Sequence, residues 1–555
     1  MTENNMSSIS RVCILFSAIV FSFVWLLPNH TVPWLTAYQE FAVFFSLFLL
    51  GVCALEVGSR FSMAVLVIFF FSFVPLIYYF FGKVFFLSDS LMAMFYLLSF
   101  AVAMFLGFNL GGVSSSQVCF WLFGVFVFAS LASFFIALTQ WLGLNVGNWV
   151  VDISFGDRPY ANLAQPNNLS TLFCMGLGGL IYLFERKVLG VFISGLIAVF
   201  LIFGVVLTQS RTPWLGGAFA LVWWGWKGCG FRLKFSHMMV WVLVYAGLTI
   251  GYPLLAESIG LSSVGLLERA VQAQRIDLWA QFMYAVFEGS LWGYGWGQVS
   301  VAQALVSLEK PFALPTEHAH NIVLDLFLWC GPFLGGGVVV ALGGWLLRAA
   351  IKVKHKESVL LLLLVGFVLI HGMLEFPLEY AFFLLPVGFM LGVVMSEVDV
   401  PLGRVPNLIF AGFWVACFVV FVLVWAEYRK IEEDYRLMRF EDLKIGTLKA
   451  DHEAPDVIIL TGLRELIRFS RFDYLKGVSV VELVWMRKVA YRNPYSYTLF
   501  RLGVALALSG DVVGANKEFR RLRALHGEQS FRRALVSLNA LSKKYPALLL
   551  LDLTN

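Results

Sequence analysis

The sequence predicts an all-α protein in two parts: a polytopic membrane domain of about 12–13 transmembrane helices over residues 1–426, and a soluble helical domain over 427–555. Three observations predict it. Of 555 residues, 60% are apolar and 14% charged, with 55 Phe and 18 Trp. The charges are unevenly divided: residues 1–426 hold 18 Lys/Arg and 19 Asp/Glu, whereas 427–555, less than a third as long, hold 22 and 16. The apolar residues of the first part fall in runs near the length of a span. A backbone crossing roughly 30 Å of hydrocarbon must satisfy its own hydrogen bonds, which takes roughly 20 apolar residues as a helix.

In chain order the candidate spans are 11–27, 41–58, 61–81, 91–110, 117–142, 167–184, 188–207, 212–226, 236–255, 320–349, 358–376, 379–397 and 407–426. The first is kept as a span because Leu27-Pro28-Asn29-His30 offers no small-residue cleavage site. Orientation follows from Lys and Arg in the short connections. With the N-terminus cytoplasmic, the inner connections collect eleven, among them Arg60, Arg186, Lys227 and Lys354, while the outer segments hold Lys83, Arg158, Arg211, Arg269, Arg275 and Lys310. Thirteen spans place the tail outside; twelve would place it inside.

Two outer loops are long, about 143–166 and 256–319, the second with polar helical stretches around Glu268 to Phe287. Long loops in compact domains are commonly functional. The tail shows apolar residues at spacings of three and four throughout. Its segment from Asn493 to Ala524, with Gly503 and the Gly510-Asp511 turn, resembles one tetratricopeptide-type helical hairpin, and a generic helical bundle fits equally.

The net charge of +5 divides into −1 and +6, which gives no support to nucleic-acid binding. All seven cysteines lie in or beside apolar runs, so neither a disulfide framework nor a CxxC metal or redox site is expected.

Polar groups in or at the mouth of apolar helices are costly, so each is a functional candidate until a structural partner accounts for it. Four clusters qualify, all on the outer side of the expected topology. Arg158 to Leu172 forms a loop-to-helix junction whose amides, Gln165, Asn167 and Asn168, could cap the helix or grip sugar hydroxyls. Thr208-Gln209-Ser210-Arg211 breaks two spans and carries a guanidinium, which could equally sit among lipid headgroups. Arg275-Ile276-Asp277 continues through Gly293-Tyr294-Gly295-Trp296-Gly297-Gln298, and a surface Arg beside an Asp is the plain alternative. Glu317-His318-Ala319-His320-Asn321 tops a 30-residue apolar helix containing Asp325. The HxH spacing does not place both rings on one helical face, so no metal and no cofactor is expected.

Together these groups suit an anionic, lipid-linked substrate. A diphosphate leaving group needs cations that neutralise developing charge, which Arg supplies bidentately. An alcohol nucleophile needs a base that titrates near neutral pH, the property of His.

The run His320-Asn321, nine residues, then Gly331 is similar to the pattern of bacterial O-antigen ligases and the related protein O-oligosaccharyltransferases, the Wzy/WaaL/PglL superfamily. One departure is visible: where the family has Gly, Thr or Tyr three places beyond that glycine, this chain has Leu334, with Gly335 next. Arg158-Pro159-Tyr160-Ala161-Asn162-Leu163-Ala164-Gln165-Pro166-Asn167-Asn168, Ser210-Arg211, the Arg275 to Gln298 segment and His371 to Tyr380 also resemble elements of the protein-glycosylating branch, in its order. The C-terminal extension is similar to that branch too.

The resemblance implies a metal-independent, inverting glycosyl transfer at the periplasmic face of the bacterial inner membrane. The donor would be an undecaprenyl-diphosphate-linked oligosaccharide and the acceptor a Ser or Thr hydroxyl of an exported protein, for example a pilin-like one. By motif position, His320 would be the base or position the acceptor, Arg211 and Arg275 would hold the diphosphate, and Gln165, Asn167, Arg158, Tyr380 and His318 would contact the substrates. Three other readings stay open. One is an O-antigen ligase or polymerase with a sugar acceptor, another a polyprenyl-glycan transporter, and the last a scaffold whose tail recruits partners.

Overall fold

The computed structural model describes residues 7–57, 59–260, 274–446 and 453–553. It is all-α: helices run from Ser8–Val24 to Val512–Ser542, and the strand content among the described residues is one two-residue antiparallel pair, Arg60–Phe61 with Gly403–Arg404. Each of the thirteen expected segments overlaps helix, 61–81 as the two helices Met63–Phe71 and Val74–Phe80. Among the described residues nine helices are long and apolar enough to cross a membrane. The lower number has two causes. Leu87–Trp141 is two helices joined at Ser114 (φ −156°, ψ 80°), as it must be, since 55 residues in one helix would reach roughly 80 Å. Ser8–Val24, Thr212–Lys227 and Lys356–Gly372 have 17, 16 and 17 residues, one or two fewer than the shortest of the nine. The polar stretch expected from Glu268 lies outside the described residues as far as 273; beyond it the helix Gln274–Glu288 forms.

The chain divides into two compact units. The first comprises Met1–Phe71, Tyr96–Gln272 and Gly343–Val422. Its core gathers Phe123, Phe126, Phe173, Leu360, Leu361 and Phe383, all essentially inaccessible. Its outer helices instead present large apolar side chains outward, such as Phe192 at 82% exposure and Ile250 at 73%, as expected where lipid is the solvent. Lipid provides no hydrophobic drive between helices, so close backbone approach matters more. At the crossing of Leu87–Trp141 and Ala381–Val398, a Cβ on Gly107 would lie 2.2 Å from the Phe389 carbonyl oxygen, and one on Gly392 2.1 Å from that of Met104. Only glycine fits these two positions.

The second unit comprises Ser72–Phe95, Ala273–Leu342 and Leu423–Asn555. The C-terminal helices therefore do not pack by themselves: their core of Leu466, Met486, Leu502, Phe519 and Leu522 also encloses Phe86, Val301 and Ala304. The hairpin Ser496–Leu508 and Val512–Ser542 turns at Gly510 (φ 88°), and the Asp511 carboxylate accepts from Gly514 N–H at 2.8 Å to cap the second helix.

Candidate functional site

In the first unit, a break in helix geometry creates the polar ground. Val191–Thr208 ends at Gln209 in the left-handed region (φ 49°), and Thr212–Lys227 begins after it, with Pro213 in its first turn. The break frees backbone groups that a continuous helix would pair. The Arg158 Nε–H, from the long loop, takes up one of them by donating to Thr208 O at 2.8 Å. Ser210 turns its hydroxyl to Asn167 Oδ1 at 2.7 Å, and Arg158 Nη2 reaches the same oxygen at 3.4 Å. Arg211 lies exposed at the start of the next helix.

Pro166 opens the helix Pro166–Glu185, and Gln165 stands at its N-cap with no side-chain capping bond. Asn167 points instead across the bundle, its Nδ2 donating to Glu375 Oε1 at 2.8 Å. One turn on, Thr171 Oγ1 and His371 Nδ1 are 2.8 Å apart. The positions match, four residues separating Asn167 from Thr171 and His371 from Glu375, so one face of the first helix meets the end of the other. Glu375 and His371 are buried. Tyr380 closes this side: its hydroxyl interacts with the Asn168 side chain and its ring stacks on Phe382 at 5.0 Å. The next residue, Ala381, donates its N–H at 2.7 Å to Glu40, a buried carboxylate from the second helix. Arg158, Asn167, Ser210 and Glu375 thus converge, bringing three separate sequence clusters together.

The loop behind Arg158 is held by two amides. Gln140 donates to Val151 O and Ala161 O, both at 2.8 Å, and accepts from the Tyr160 and Ala161 N–H groups. Asn162, fully buried, donates to Leu26 O at 2.7 Å and Trp149 O at 2.9 Å. Those bonds hold Ala161 in the left-handed region at φ 50°, and Ala164 in the same loop has φ 58°.

In the second unit, His320 itself has φ 55°. A left-handed non-glycine residue costs about 1–2 kcal/mol and persists only where its surroundings fix it. They do so here. Ala319 donates its N–H to Asp325 Oδ1 at 2.7 Å and accepts from Trp279 Nε1–H at 2.9 Å, while Asn321 caps the following helix through Val323 and Leu324 N–H. Arg275 lies one turn before Trp279 on Gln274–Glu288, on the same side of that helix. Thr316 Oγ1 donates to His318 O at 2.8 Å, closing the turn before the histidines. Burial first, and then neighbouring His320 and Arg492, push the His318 pKa down to about 3, so its imidazole is neutral at physiological pH.

Gly331, the motif glycine, breaks Ile322–Lys352 at φ 76°, beside Pro332. That break lets Tyr294 N–H donate to Leu328 O at 2.7 Å and Gly295 N–H to Trp329 O at 3.1 Å, with Trp296 stacked on Trp329 at 4.5 Å. The glycine-rich run 293–297 is therefore docked on the helix that carries His320 and Asn321 at its head. Among the described residues no three His, Cys, Asp or Glu side chains gather closely enough to hold a metal ion.

Sequence reasoning places Glu375 in the His371 to Tyr380 segment without giving it a role, and it does not single out Glu40, Gln140 or Arg492. For Glu375 a signal existed, its four-residue spacing from His371; Glu40 and Arg492 find their partners hundreds of residues away, and Gln140 finds its own across a loop that follows no periodic pattern.

Residues 359–540 match the family described as virulence factor membrane-bound polymerase, C-terminal. Over nearly its full length the chain is similar to a general O-oligosaccharyltransferase of Acinetobacter baylyi (strain ATCC 33305 / BD413 / ADP1), 30% identical over 95% of this chain and 94% of that one. A ComP-specific O-oligosaccharyltransferase of the same strain is 27% identical over 84% of this chain and 86% of its own length. No solved structure matches.

Proposed function

The chain belongs to the bacterial protein O-oligosaccharyltransferases, membrane glycosyltransferases that carry out O-linked oligosaccharyl transfer, and from that premise we propose its substrates and residue roles. The donor is an undecaprenyl-diphosphate-linked oligosaccharide, and the acceptor is a Ser or Thr hydroxyl of an exported, pilin-like protein. Transfer takes place on the periplasmic side of the inner membrane, needs no metal ion, and inverts the anomeric centre. The acceptor oxygen attacks the anomeric carbon as the bond to the diphosphate oxygen breaks, and the hydroxyl proton passes to the imidazole of His320. Arg211 and Arg275 neutralise the charge that develops on the diphosphate. Arg158, Gln165, Asn167, Tyr380 and His318 contact donor or acceptor.

The observation that carries the reading beyond the family is the convergence on Asn167, where an amide, a hydroxyl, a guanidinium and a carboxylate from three chain segments meet, a set suited to sugar hydroxyls and phosphate oxygens. The test is co-expression with a lipid-linked glycan pathway and an exported acceptor, read by intact mass. His320→Ala and Arg275→Ala should abolish the glycan mass shift; normal glycosylation by either variant overturns the corresponding role.

The match of residues 359–540 to a polymerase family favours, as a second reading, the same donor with a sugar hydroxyl as acceptor. Restoration of full-length lipopolysaccharide in a ligase-deficient strain, with exported proteins unmodified, would select it.

A further inference from the structure

We propose that Arg492, in the C-terminal segment, is a positioning residue that holds the turn bearing His318 and His320 in register for transfer. The proposal rests on the role of His320 given above. Arg492 ends the helix Val480–Arg492 and is joined to three other chain segments of its unit. Its Nε–H donates to Asp89 Oδ2 at 2.9 Å, and Nη1 faces Glu317 Oε2 at 3.6 Å. Asp89 also accepts from Gln298 Nε2–H at 3.1 Å, and the Arg492 carbonyl accepts from Ser300 Oγ at 2.8 Å. Burial works against a charged Arg492, yet Asp89 and Glu317 outweigh it and keep the guanidinium ionised.

The route to the histidines is double. One arm is direct, because Glu317 immediately precedes His318. The other runs through the helix Val299–Val306. On one side the tail grips that helix through Ser300, and through Arg521 Nε–H, which donates to Ala304 O at 2.6 Å. On the other side Gln303 accepts from Thr316 N–H at 3.0 Å and donates to Leu314 O at 3.0 Å. Thr316 in turn holds His318 O. The tail thus reaches the turn at both its polar ends, and Arg492 takes part in both arms. Glu317 is 54% exposed, so its pair with Arg492 adds little stability and its effect is geometric.

The experiment uses the full-length enzyme in proteoliposomes with lipid-linked donor and purified acceptor. Arg492→Ala should lower kcat about tenfold or more while the acceptor KM stays within about twofold, since a misplaced turn weakens catalysis more than binding. Arg492→Lys should recover part of the loss. Glu317→Gln should lower kcat alone but add nothing in the Arg492→Ala background, as expected for two ends of one contact. Hydrogen exchange should quicken in the 314–320 peptide with the tail helices unchanged. Wild-type kcat in Arg492→Ala, or effects of Arg492→Ala and Glu317→Gln that multiply, overturns the proposal. If Arg492→Ala does not accumulate, Arg492→Lys combined with Glu317→Gln gives the same decision. His320→Ala separates the two claims: its full activity removes the role of His320, whereas its inactivity beside a normal Arg492→Ala removes the positioning role alone.

Discussion

Asn167 donates through Nδ2 to Glu375 Oε1 at 2.8 Å while its Oδ1 accepts from the Ser210 hydroxyl at 2.7 Å. An amide is the one side chain of this size that satisfies a carboxylate on one side and a hydroxyl donor on the other. Its position therefore fixes the relation between the 208–211 break, which carries Arg211, and the turn after Gly372 that leads to Tyr380.

Replacement Asn167→Asp sets two carboxylates against each other at this distance. Transfer should fall by about tenfold or more, and the solubilised protein should lose roughly 1–3 kcal/mol, the usual cost of a buried partner left unsatisfied. Combining Asn167→Asp with Glu375→Gln rebuilds an amide–carboxylate pair in reverse and should recover part of both. Glycoform fraction and thermal unfolding measure the two effects, and wild-type behaviour of Asn167→Asp would show that the hub is not needed.

Gly331→Ala should damage the second unit. At φ 76° a Cβ would lie 2.0 Å from Leu291 O and 2.7 Å from Gly293 N, both backbone atoms that cannot yield cheaply. A loss of roughly 2–4 kcal/mol is expected, seen as poor accumulation or early thermal unfolding. Gly337→Ala on the same helix, with open space around its Cβ, is the control that should leave stability unchanged.

The helices were legible in the sequence because a span must be apolar along its whole length, which leaves a continuous trace. The HN…G motif was legible as well, and the structure gives its parts local tasks: Asn321 caps, Gly331 breaks, and His320 takes the left-handed angle. What could not be read was pairing at a distance. Asn167 and Glu375 are 208 residues apart, Glu40 and Ala381 341, and Asp89 and Arg492 403. No periodicity links such positions, and an isolated Glu40 in an apolar run shows a buried carboxylate without showing that it holds Ala381 N–H. The grouping of 274–342 with the tail was equally hidden, since composition separates apolar from polar segments and does not say which of them share a core.

His320→Gly separates the fold from the chemistry. Glycine accepts φ 55° without strain, so the turn should survive and thermal stability should be unchanged or slightly raised. Transfer should drop roughly 10²–10⁴-fold, the range for loss of a positioned general base. An active His320→Gly enzyme would place the proton elsewhere.

His318 gives the enzyme an acid limit. In the folded turn its pKa is pushed down to about 3, first by burial and then by His320 and Arg492, against 6.5 for an ordinary histidine. Between these values the unfolded turn binds a proton that the folded turn refuses, so stability is complete above about pH 6.5 and is lost as pH falls toward 3. Lowering pH from 7 to 5 should therefore speed hydrogen exchange in the 314–320 peptide ahead of the rest of the unit, once corrected for intrinsic rates. His318→Asn cannot take up that proton and should flatten the dependence. An unchanged acid response in His318→Asn would assign the sensitivity to another group.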